Sequence, residues 1–166
     1  MDMKTLPKRF REVLLQVEEN CKDGELQEVI VMQFDSDQVA VIPVPTPDLS
    51  EFIALKTPPL IVEDMEKDAK YMSIRVALEE LKPQSYFHIH ESYATKFENA
   101  RKKWGSVSRM PPEDRVDLAM VISYEKGKSP LACTAIINTH GDGTRSIEKW
   151  DVLSEIAGRG VVNIYE

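Results

Sequence analysis

The stretch Ser85-Tyr86-Phe87-His88-Ile89-His90-Glu91-Ser92-Tyr93 is where the hydrophobic period of the chain changes from helical to two. Side chains alternate across a strand, so Phe87, Ile89, Glu91 and Tyr93 share one face while His88 and His90 share the other. Beyond this point Tyr86 to Phe97, Asp117 to Glu125, Leu131 to Asn138, Thr144 to Trp150 and Val161 to Tyr165 read as strands. Lys126-Gly127-Lys128 and Gly141-Asp142-Gly143 punctuate them, and such spacing predicts an antiparallel meander. Leu118, Met120 and Ile122 alternate with Ala119 and Val121, and Leu131, Cys133 and Ala135 alternate with Ala132 and Ile136. Both faces of these two strands are therefore expected to be covered.

Before Ser85 the pattern is helical at both ends of a hairpin. Leu6, Phe10, Val13, Leu14, Val17 and Cys21 recur at three- and four-residue steps, with Thr5 as N-cap, Pro7 in the first turn and Asp23-Gly24 at the exit. Glu28 to Phe34 and Val39 to Val44, divided by Asp35-Ser36-Asp37, read as a hairpin. A short helix is expected after Thr46-Pro47-Asp48, and Thr57-Pro58-Pro59 is a rigid spacer. Val62, Met65, Ala69, Met72 and Val76, joined by Ile74, Leu78 and Leu81, then form the broad apolar face of a second long helix, ended by Lys82-Pro83. The expected fold is α+β, a mainly antiparallel sheet of about five to seven strands with two long helices and one short helix. The two long helices are expected to share one face. The other face would then fall to the short helix, the hairpin or a second subunit, and a homodimer follows from that need.

Composition bounds what such a fold can be. The 166 residues are 42% hydrophobic and 30% charged, which suits one folded domain over 1–166 with 1–57 as a helix–hairpin subregion. Residues 1–83 carry 10 basic and 17 acidic side chains and residues 84–166 carry 11 and 11, so the net charge of -7 belongs to the first half. An acidic protein repels phosphate at long range, which argues against nucleic acid as partner. The longest apolar runs, Leu118 to Ile122 and Leu131 to Ile137, are far shorter than the roughly 20 residues of a spanning helix, so no membrane partner is expected. The opening Met1-Asp2-Met3 lacks the features of a secretory signal, and a cytoplasmic location is the expectation. Cys21 and Cys133, without CxxC spacing, read as small buried hydrophobes.

Candidate chemistry is confined to a few residues. His88 and His90 project from one strand face, and with His140 they would form a three-histidine set for a divalent metal, leaving a position open for water. Glu91, on the opposite face, is a candidate acid–base group if buried, with Arg115 and Arg145 as its candidate ion-pair partners. Pro111-Pro112-Glu113-Asp114-Arg115 enters the apolar strand, with Asp114 and Arg115 as a rim pair. Tyr93 and Arg115 are candidate ligand-binding residues, as are Lys102, Lys103 and Trp104 in the basic stretch 96–109, where cations beside an aromatic could hold a polyanion or stack a base. Gly158-Arg159-Gly160 reads as a turn. A Walker loop, a dinucleotide glycine pattern, a GxSxG elbow and an HExxH helix are all absent.

The order Glu91-Ser92-Tyr93, then Pro111-Pro112-Glu113-Asp114-Arg115, then Ile147 to Trp150 and Gly158-Arg159, resembles a group of uncharacterised microbial proteins. That group carries tryptophan where Tyr93 stands here, and the histidine pair is not part of its pattern. The resemblance covers the second half of the chain and implies a common α+β fold without implying an activity. The leading expectation is a binding or assembly module with no catalytic motif, no cofactor and a protein or small-molecule partner. A metal-dependent hydrolase built on His88 and His90, and a polyanion-binding protein built on the 96–109 loop, are the alternatives.

Overall fold

The computed structural model describes residues 3–35, 37–95, 110–153 and 163–165. A 14-residue helix α1 (Lys8–Cys21) leads into strands β1 (Val29–Gln33) and β2 (Val39–Pro43). The short helix α2 (Ser50–Ala54) and the 23-residue α3 (Pro59–Leu81) follow. Strands β3 (Ser85–Ala94), β4 (Val116–Glu125), β5 (Leu131–Thr139), β6 (Arg145–Ile147) and β7 (Asp151–Leu153) complete an α+β fold. Every pairing is antiparallel, in the order β2-β1-β3-β4-β5-β6, and β7 also pairs with β5.

Register assigns each side chain to a face. Ile30, His88, Ile122 and Ala132 lie side by side on one face, and Val29, Ile89, Val121 and Cys133 lie side by side on the other. On the second face α1 buries Phe10, Val13, Leu14, Val17 and Cys21 against Phe87, Ile89, Ala119, Val121 and Ala135. Phe10 meets Phe87 edge to face with ring centroids 5.4 Å apart, the arrangement the ring quadrupoles favour. On the first face α3 presents Tyr71, Ile74 and Leu78 to Ile30, Met32, Tyr86, Ile122 and Tyr124. One long helix thus covers each face, giving three layers. The expectation that both would share a face is corrected here, and its reason is visible in β4 and β5, whose apolar residues point both ways.

Several local expectations are also corrected. Thr5 does not cap α1: Met3–Thr5 form a separate turn of 3-10 helix, and Pro7 takes the cap position without a side-chain bond. Leu49 takes the cap position of α2 without a side-chain bond, and Asp48 before it accepts a hydrogen bond from the Ser50 N–H at 3.0 Å, turning the chain into the helix. Of the apolar face read for α3, only Ile74 and Leu78 are buried, while Met72 is 69% exposed and Val76 56% exposed. The helix closes at Lys82 in the left-handed conformation, φ 50°, just before Pro83. The stretch Thr144 to Trp150 is not one strand. β6 ends at Ile147, and the chain returns to β5 as β7, so that Ile137–Thr139 pair with β6 and Ala132–Thr134 with β7. Asn163 to Tyr165 form a turn rather than a strand, and the rest of that segment lies outside the described residues. Among the described residues no helix is long and apolar enough to cross a membrane.

Candidate functional site

The two strand histidines face α3 and lie together, with ring centroids 4.7 Å apart. Register places them beside β1, and Glu28, just before that strand, turns its carboxylate onto them. Nε2 of His88 stands 2.8 Å from Glu28 Oε2, the ring N–H donating to the carboxylate. Lys70 of α3 reaches the same carboxylate at 3.5 Å and Glu66 at 3.2 Å. Burial tends to raise the Glu28 carboxyl pKa, but the His88 hydrogen bond and the charges of His88, His90 and Lys70 outweigh it and hold the group below its usual value. Burial likewise opposes charge on Lys70, yet Glu28 and Glu66 together push its ammonium above its usual value. His90 is pulled down to about 4, first by burial and then by the charge of His88. It is neutral at neutral pH, with Nδ1–H donating to the Glu91 carbonyl at 3.1 Å. Its Nε2 keeps its lone pair, and no described residue meets it.

His140 does not join them. It sits in the turn between β5 and β6, with Nε2 2.8 Å from Ser146 Oγ. His88 lies level with Ile122 and so with Ala132, eight residues before His140 along β5, a separation of roughly 26 Å at a strand's rise. The expected set of His88, His90 and His140 is therefore not assembled. Among the described residues no group of three His, Cys, Asp or Glu side chains is disposed to hold a metal. What the cluster does is tie β1, β3 and α3 together through one carboxylate.

Glu91 on the opposite face is half of an ion pair. Arg145 Nη1 lies 2.5 Å from its Oε1 and 2.7 Å from the Gly24 carbonyl, and the Leu26 N–H donates to Oε1 at 2.7 Å. Side-chain exposure is 8% for Arg145 and 11% for Glu91. The pair pins the connection between α1 and β1 onto β3 and β6 through Oε1 of Glu91. Of the two partners expected for Glu91, Arg145 takes the position. Arg115 instead lies over the Tyr93 ring, 4.3 Å from its centroid, with Nε 3.5 Å from Asp117, so the rim pair forms with Asp117 and not with Asp114. Burial raises the Tyr93 hydroxyl pKa, against the Arg115 charge that lowers it. Lys102, Lys103 and Trp104, the remainder of the 96–109 loop and Gly158-Arg159-Gly160 lie outside the described residues.

A groove not anticipated from sequence lies on the α1 side. The helix reaches β4 and β6, with Val29 and Val31 of β1 packed at the margin of its core, and leaves the edge strand β2 exposed, so a trough of about 850 Å³ opens between α1 and the hairpin. Val29, Val31, Val39 and Val41 line its floor and α1 its wall, and Arg9, Glu12, Glu19, Asp23 and Glu25 lie along its polar border, where Glu12 pairs with Lys8 and Arg9 and Glu19 with Lys22. Val39 and Val41 are 46% and 59% exposed, and β2 is an edge strand. The two strands of the hairpin were legible in the sequence, and the missing cover over β2 was not. Compared with protein-family models, curated proteins and solved structures, the chain matches none.

Proposed function

We propose that this protein is a binding module that takes an extended, apolar segment with basic ends into the groove between α1 and the hairpin. The observation that carries this reading is the exposure of Val39 and Val41 on an edge strand at the floor of an acid-bordered trough. The Val44 N–H donates to the Glu28 carbonyl and the Phe34 N–H to the Gln38 carbonyl, so even-numbered residues of β2 bond inward to β1. Val39 and Val41 consequently turn their N–H and C=O groups outward. A segment laid beside them gains backbone hydrogen bonds and continues the valine stripe, while acidic groups outnumber cations at the border. Pro43, without an N–H, ends the ladder on one side. The same reading places the protein in the cytoplasm, where free buried thiols such as Cys21 and Cys133 stay reduced.

The test uses fluorescence anisotropy with a labelled peptide Lys-Lys-Val-Ser-Val-Ser-Val-Lys-Lys and its counterpart carrying Glu in place of Lys. Saturable binding of the basic peptide, loss of at least about tenfold in affinity in Val41→Lys and no binding of the acidic peptide are expected. Equal binding of both peptides, or a Val41→Lys variant that binds as the parent does, would overturn the reading.

A further inference from the structure

The apolar residues of α3 that the sheet leaves uncovered are spaced in a way the core does not require. Val62, Met65, Ala69, Met72 and Val76 follow one another at steps of three, four, three and four, the a and d positions of a heptad pattern. At 3.6 residues per turn this stripe points roughly 170° away from Tyr71, Ile74 and Leu78, which pack on the sheet. Met72 is 69% and Val76 56% exposed, Val62, Met65 and Ala69 are half-buried, and Ile61 beside the stripe is 51% exposed. An apolar seam of this period on the outer side of a helix fits a second helix carrying the same period.

We propose that the seam is a homodimer interface in which α3 of a second copy packs antiparallel across it, with the two-fold axis near Ala69. In that arrangement Val62 meets the partner's Val76, Met65 meets the partner's Met72, and Ala69 meets the partner's Ala69, where the small side chain lets the backbones approach. Asp68 and Arg75 occupy g positions on one flank of the stripe, and the g rows of the two helices adjoin in an antiparallel pair, so that flank brings together side chains of both signs. Charge selects the direction. Residues 63–70 carry four acidic and two basic side chains, and residues 73–82 carry two of each. A parallel pair would set the two acidic halves against one another, whereas the antiparallel pair sets each acidic half against a neutral one and opposes the helix dipoles.

The full chain has a mass of 18.9 kDa, and sedimentation over 1 to 100 µM is expected to give twice that value. The double variant Met72→Lys, Val76→Glu should sediment as the monomer, its dissociation constant raised by roughly 100-fold or more, with an unchanged far-UV circular dichroism spectrum. Val41→Lys should dimerise as the parent does, which separates this interface from the groove. Direction is read by oxidation of single-cysteine insertions: Ala69→Cys should cross-link to itself, Met72→Cys should not, and a mixture of Met72→Cys with Met65→Cys should cross-link. A monomer throughout the concentration range, or a dimer untouched by the double variant, overturns the interface. Self-linking of Met72→Cys overturns its antiparallel direction.

Discussion

Replacing Arg145 by alanine should be among the most damaging single changes on the α1 side of the sheet. The guanidinium is 8% exposed and joins three pieces of chain, because it reaches Glu91 on β3 and the Gly24 carbonyl after α1 from its own place on β6. Its removal leaves the Glu91 carboxylate 11% exposed with the Leu26 N–H as its remaining described donor, and leaves the Gly24 carbonyl without its charged partner. Breaking a buried pair by removing one partner costs about 3–5 kcal/mol, and at this chain length that lowers Tm by roughly 6–20 °C. Glu91→Gln should cost less, since the amide oxygen can still accept from the Leu26 N–H and from Arg145, and the guanidinium loses its counter-charge but keeps an acceptor. The double variant Glu91→Leu, Arg145→Leu should recover much of the loss, because desolvation of both charges is relieved together. Urea unfolding followed by circular dichroism measures all three. A loss below about 1 kcal/mol in Arg145→Ala, or a double variant no better than the single, would refute the assignment of this pair as the anchor of the α1–β1 connection.

Other consequences are as direct. His90 has its ring pKa depressed from 6.5 to about 4, so between these values the unfolded chain binds more protons and stability falls as pH drops, by about 3 kcal/mol in total. His90→Gln should flatten that slope, and equal parent stability at pH 4.5 and 7 would contradict the burial assigned to the ring. The Glu28 carboxyl, lowered from 4.5, contributes stability that is present above that value and lost as pH falls through its folded pKa, so acid unfolding should be steeper in the parent than in Glu28→Gln. Burial raises the Cys133 thiol to about 11 and raises Cys21 as well. Both should therefore resist Ellman's reagent in the native protein and react on unfolding in urea. On α3, Leu78→Ala should cost about 2–5 kcal/mol, because the side chain is 1% exposed. Met72→Ala should change monomer stability by less than about 0.5 kcal/mol. Comparable losses at the two positions would show that the helix packs by a different face.

Strand and helix identity were readable because each rests on a local period. β3, β4 and β5 were bounded to within a few residues by alternation and by the glycine turns, and α1 showed its buried stripe from Phe10 to Cys21. The pairing of Glu91 with an arginine was readable in kind, since a carboxylate on the same strand face as Phe87 and Ile89 needs a cation. Which arginine supplies it was not. Arg115 is nearer in sequence, and the chain path through β6 brings in Arg145. His140 shows the same gap in reverse, as its sequence suggested chemistry that its strand position does not deliver.

What the sequence by itself determined is α1, α3, the hairpin and strands β3 to β5, and the two-sided character of the sheet, because burial on both faces of β4 and β5 is written in their unbroken apolar runs. Which face each long helix covers was decided only in three dimensions. α3 carries two apolar stripes, Tyr71 with Ile74 and Leu78 on one side and Val62 to Val76 on the other, and periodicity weighs both alike. The connection from β2 through α2 and the antiparallel register of β1 on β3 set how α3 meets the sheet, so the sheet takes one stripe and the heptad stripe lies off it. The groove has the same origin. Arg145 ties the end of α1 to β6 through the Gly24 carbonyl, and the helix lies over the centre of the sheet with Val39 and Val41 of β2 beyond its reach.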